Sequence, residues 1–82
     1  MTTRWEVLGL GAIAADDIYY LDRYPQPDSK EPIRDHQRFG GGLAATALVA
    51  AARLGARAAY AGVLGKDELS RYVLEGLAAE GI

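Results

Sequence analysis

Cysteine is absent from the 82 residues, which excludes a disulfide framework and a thiolate metal site, and the single histidine, His36, cannot build a zinc site alone. Neither sign of charge is in excess: nine Lys and Arg stand against eleven Asp and Glu, spread along the chain, so no basic face or tail recruits nucleic acid or an anionic membrane. Long apolar runs are missing as well. The longest, Leu43 to Ala52, is interrupted by Thr46, and the N-terminal run that ends at Asp16-Asp17 is too short for a span and lacks a signal-peptide cleavage pattern. These absences predict a cytoplasmic chain with neither nucleic acid nor membrane as a partner. What remains is 50% apolar and 24% charged, an ordinary globular balance. A domain of this length buries only about 60% of the surface that its unfolded chain exposes.

The order of elements reads as α/β. Val7 to Ala14 is a continuous apolar run edged by glycine, the pattern of a strand buried on both faces. Ile18 to Tyr24, rich in aromatic residues, and the largely polar stretch around Pro32 to Phe39 read as two exposed strands, placed near 18–24 and 31–38, with a turn at Tyr24-Pro25-Gln26-Pro27 between them. Leu43 to Leu54 is an alanine-rich helix with Gly55 placed as a left-handed C-terminal cap. Arg57 to Gly65 reads as a second buried strand. Asp67 is placed as N-cap of a helix carrying Leu69, Val73, Leu74, Leu77 and Ala78 on one face, with Gly81 just past its end. A helix between two buried strands implies a parallel sheet. Two strands cannot cover their own faces, so the segment reads as the N-terminal piece of a larger α/β protein.

Two places carry chemistry. Gly40-Gly41-Gly42 runs straight into the helix, where unpaired N–H groups and the positive end of the helix dipole suit a polar ligand. Asp16 and Asp17 follow the first strand, at the edge where open α/β sheets place ligands, and a carboxylate there can accept hydrogen bonds from two hydroxyls of a polyol. A crossover brings the start of its helix to that same edge, so Asp16 and Gly41-Gly42 are expected to converge. Thr46, one turn into the helix, can offer its hydroxyl to the ligand or bond back to its own helix. The Lys and Ser or Thr of a P-loop are missing after the glycines. Gly9-x-Gly11-x-x-Ala14 matches the shortest form of a dinucleotide fingerprint, but Pro25 and Pro27 leave no room for the helix and second strand which that fold requires.

In the order and spacing of four segments the chain resembles the N-terminal part of the ribokinase-like, PfkB-type carbohydrate kinases. The segments are Gly11-Ala12-Ile13-Ala14-Ala15-Asp16, Tyr24-Pro25-Gln26-Pro27, Gly40 to Gly55, and Gly62-Val63-Leu64-Gly65-Lys66-Asp67. The resemblance implies a three-layer α/β/α fold with a mostly parallel sheet and a small β lid, residues 1–82 forming the N-terminal portion of one such domain. It implies that Asp16, Gly41, Gly42 and, by position, Thr46 contact a sugar, and that the lid strands, with Tyr20, Arg34 and Arg38, cover it.

The activity implied is transfer of a phosphoryl group from ATP, with Mg2+, to a sugar hydroxyl. ATP and Mg2+ would be held mainly by residues outside this segment. The Gly-Ala-Gly-Asp motif that supplies the family's catalytic aspartate is not among these residues, so no catalytic group is expected here. Ala14 and Thr46 stand where asparagine is usual in ribokinases or in the family, which weakens the case for ribose. Gly-Gly-Gly-Leu-Ala-Ala-Thr-Ala and Asp17-Ile18-Tyr19-Tyr20 look more like the sulfofructose kinase branch, where Arg34, Arg38 or the glycine cradle could meet a sulfonate. The exposed strand near 32–38 would let two subunits pair edge to edge as a homodimer. A non-catalytic sugar-binding module and a dinucleotide-binding oxidoreductase are the competing readings.

Overall fold

The computed structural model describes residues 4–82 and contains four strands and two helices in the order β1 (Val7–Leu10), β2 (Ala14–Tyr20), β3 (Asp35–Gly41), α1 (Leu43–Arg53), β4 (Ala58–Ala61) and α2 (Glu68–Ala79). β1 and β4 pair in parallel, Val7 opposite Ala58 and Leu10 opposite Ala61, whereas β2 and β3 form a separate antiparallel ribbon. The expected parallel pair with a helix between its strands is therefore present.

The apolar run from Val7 is not one strand. Gly11 adopts φ 137°, a conformation that side chains other than glycine rarely take, and it ends β1 four residues before Ala14 would have. The chain re-enters extended structure at Ala14 as part of the ribbon. The two exposed strands consequently lie at 14–20 and 35–41, not at 18–24 and 31–38. Asp16 and Asp17 do not merely follow a strand but lie within β2. No helix follows Gly11, so the glycine pattern there is not a dinucleotide loop. Its first glycine has a packing role instead: a Cβ on Gly9 would lie 2.5 Å from Leu48 Cδ1, and its absence lets α1 seat on the sheet.

Both helices stop where their glycines predicted. Gly55 and Gly81 have φ 102° and 83°, and each helix closes with the paired bonds of a Schellman motif, Ala56 N–H to Ala51 O and Ile82 N–H to Leu77 O, both 3.0 Å. Asp67 caps α2 by accepting from Ser70 N–H at 2.7 Å, and that bond holds its carboxyl below the usual carboxylate range.

The core is small: Ala45, Leu48, Ala58, Val73 and Leu77 are buried. Leu69 and Leu74, expected on the apolar face of α2, stay about half exposed. The face of β1 opposite α1 is bare, with Leu8 62% and Leu10 71% exposed. The radius of gyration is 16.4 Å with a longest extent of 58 Å, against about 12 Å for a compact domain of this length. The ribbon accounts for that shape by projecting from the helix and sheet layers.

Candidate functional site

The ribbon and α1 meet at Gly41-Gly42. Gly41 is the last residue of β3, opposite Ala14, and Gly42 is the N-cap of α1 with φ 92°. Two constraints act on Gly42 at once, since a Cβ there would lie 2.5 Å from Ala12 O and 2.7 Å from Ile13 Cα. Gly41 is buried, and a Cβ on it would collide with the Asp16 carboxylate. Gly40 faces open space. Gly42 is thus required by backbone on two counts, whereas a side chain at Gly41 would displace the Asp16 carboxylate.

Asp16 and the cradle converge as expected. The carboxylate lies over Gly41, and among the described residues it accepts no hydrogen bond and joins no ion pair. The start of α1 is equally unsatisfied. Gly42 supplies no side-chain cap and the first turn holds no acidic residue. Ala44 N–H donates to Ala12 O at 3.1 Å, while the N–H groups of Leu43 and Ala45 have no partner among the described residues. Among the described residues, a carboxylate without a partner therefore lies near N–H groups without one at the positive end of a helix, a set of acceptor and donors that suits the hydroxyl groups of a polar ligand. Thr46 is exposed one turn further on, and its hydroxyl makes no bond back to the helix among the described residues.

Strand alternation divides the remaining candidates between two faces. Asp16 and Tyr20 share one face, where the Tyr20 phenol donates to Gln37 Oε1 at 3.2 Å. Asp17 and Arg38, a directly opposed pair, share the other. Arg38 donates to Asp17 through Nε at 2.6 Å and Nη2 at 3.2 Å, which is the main reason why the Asp17 carboxyl is held low and the Arg38 guanidinium high. Arg34 lies between β2 and β3 in sequence, and its Nε donates to Asp22 at 2.9 Å. Both arginines expected to be available to a ligand anion are thus engaged by carboxylates, and Arg38 is on the far side of the ribbon from Asp16.

A cavity of about 570 Å³ opens beside this site, between α1, α2 and the ribbon. Gly41 and Thr46 line one end and Arg53 and Glu80 the other, but Asp16 is not in its wall. Its lining is largely apolar, with Val49, Val73 and Leu77, so it is mainly the space left between the helices and the ribbon. Two contacts escaped the sequence reading. Tyr60 on β4 donates to Gly11 O at 2.7 Å and so fastens the turn from which the ribbon departs, and Tyr72 on α2 donates to Arg38 O at 2.9 Å. They join residues 49 and 34 positions apart, and no local pattern announces them.

Comparison with known proteins adds four findings. Residues 6–82 match the family described as pfkB family carbohydrate kinase. The sequence is 34% identical over 73 residues to a ribokinase of Haemophilus influenzae, covering 89% of this chain and 24% of that protein. It is 31% identical over 77 residues to a nucleoside kinase of Methanothermobacter thermautotrophicus, covering 94% and 25%. Among solved structures, the fold matches a ribokinase from Cryptococcus neoformans in complex with ADP, with a TM-score of 0.78 at 25% identity, over 98% of this chain and 24% of that one. The chain spans about a quarter of the length of the curated relatives it matches.

Proposed function

The chain belongs to the pfkB family of carbohydrate kinases, and from that premise we propose that it supplies the acceptor-binding half and the lid of an enzyme that transfers the γ-phosphoryl group of ATP to a sugar hydroxyl. The observation that carries this reading is the unpaired Asp16 carboxylate lying over Gly41 beside the open N-terminus of α1. In this reading Asp16 accepts hydrogen bonds from two acceptor hydroxyls. The N–H groups around Gly41 and Gly42 donate to acceptor oxygens, and Thr46 adds a hydroxyl. The ribbon, with Tyr20 on the same face as Asp16, covers the bound acceptor and excludes water, which strengthens each of these bonds. These groups bind and orient.

No step of phosphoryl transfer is assigned to them. Among the described residues no group of three His, Cys, Asp or Glu could hold a metal ion, and the α1 N-terminus lacks the lysine of a P-loop. In the same reading, residues outside this segment hold ATP and Mg2+ and supply the base that deprotonates the acceptor. A homodimer through the free edges of the ribbon belongs to the same proposal.

Acceptor-dependent ADP release by the longer protein tests the reading, across ribose, fructose, sulfofructose and a set of nucleosides. Turnover with one of them is expected, with Asp16→Ala raising the acceptor KM by about tenfold or more. Ligand-induced thermal stabilisation without ADP release would replace the kinase with a binding module. Silence across the whole panel would overturn both.

A further inference from the structure

The face of the ribbon turned away from Asp16 holds a connected polar cluster that takes no part in the site described above. Arg38 grips Asp17 with two hydrogen bonds. His36 Nε2 lies 3.4 Å from the same carboxylate, and the His36 ring stacks on Tyr19 with centroids 4.9 Å apart. Tyr72 reaches across from α2, donating its phenolic proton to Arg38 O at 2.9 Å, with the Arg38 guanidinium carbon 5.9 Å from the centre of its ring. Arg38 thus joins three elements: its backbone is in β3, its side chain holds β2, and its carbonyl is held by α2.

The position of this cluster matters because of strand alternation. Asp17 and Asp16 are adjacent, so a bidentate clamp on Asp17 fixes the backbone that aims Asp16 to the opposite face. Arg38 is three residues before Gly41, so the bond from Tyr72 also fixes the strand that delivers the glycine under Asp16. We propose that Asp17, Arg38 and Tyr72 are positioning residues that hold the Asp16 carboxylate over Gly41, so that acceptor affinity depends on a cluster that never touches the acceptor. The proposal rests on the reading of Asp16 as an acceptor contact.

Non-additivity with Asp16 tests it, in the full-length enzyme with its best acceptor from the panel. A residue that acts through Asp16 loses its effect once Asp16 is gone, whereas a residue that merely stabilises the fold adds its effect in either background. Arg38→Gln should raise the acceptor KM about tenfold while the KM for ATP stays within about twofold. In the Asp16→Ala background the same substitution should leave the acceptor KM unchanged. Tyr72→Phe keeps the ring and removes only the bond to Arg38 O, so it provides a milder variant should Arg38→Gln not fold, with an expected rise of about threefold that also disappears without Asp16.

A wild-type acceptor KM in both variants, or effects that add to that of Asp16→Ala, would overturn the positioning role and leave Asp16 in the site. A wild-type acceptor KM in Asp16→Ala itself would overturn the assignment of Asp16, and the proposal with it.

Discussion

Three adjacent glycines in this chain do different things, and the difference lies in what surrounds each Cα. Gly42 must hold φ 92° and leave room for Ala12 O. A Cβ on Gly41 would push aside the Asp16 carboxylate, whereas Gly40 meets nothing within 4 Å. Gly42→Ala is therefore expected to cost about 1–3 kcal/mol from backbone strain, and more from the collision with Ala12. Gly40→Ala should stay within about 0.5 kcal/mol of the wild type. Denaturant melts of the two variants in the full-length protein check this pair, and equal losses would show that the glycine run serves flexibility and not fit. The same residue-by-residue view separates Asp16 from Asp17. They read alike as neighbouring acids, but alternation makes one an unpaired acceptor beside the cradle and the other a partner for Arg38 on the far face.

Among the elements, the helices were legible to their ends, whereas the ribbon was legible as two exposed strands but not in its bounds. Caps are local: Asp67, Gly55 and Gly81 act on backbone groups within a few residues, so their positions in the sequence placed the helix ends. The strands of the ribbon are open to solvent on most of their length, and without one buried face no alternation of apolar and polar residues marks their register. Their pairing rests instead on cross-strand contacts such as Asp17 with Arg38. Because Arg38 holds the Asp17 carboxyl below its ordinary range, the ionised form is favoured in the folded state. The resulting stabilisation is complete above the unfolded carboxyl value, about 3.9, and is lost as pH falls through the lower folded value. The stability gap between wild type and Asp17→Asn should then close in acid, in the presence of the neighbouring His36, Tyr19, Tyr72 and Glu68. Urea melts between about pH 5 and pH 2 read that gap, and a gap that stayed constant with pH would mean that the pair contributes nothing by charge.

At the scale of the whole molecule, a parallel pair of strands carries a helix on one side and bare leucines on the other, while a ribbon reaches out beyond both. With so few buried side chains, these 82 residues expressed alone should bind a hydrophobic dye and melt without a sharp transition, as expected of a chain with exposed apolar surface and loose packing. A cooperative melt without dye binding would show that the segment is a self-sufficient domain. The sequence by itself determined the α/β order of elements, the helix ends and the glycine entry to α1, because each depends on backbone conformations that neighbouring residues impose. Only the tertiary structure decided that Gly11 breaks the first apolar run, that β3 places Gly41 beneath Asp16, and that Tyr72 holds Arg38 from another helix. Those features are fixed by contacts between residues distant in the chain, the Gly11 turn by the bond from Tyr60 among them, and they exist only once the ribbon, the sheet and the helices share one space.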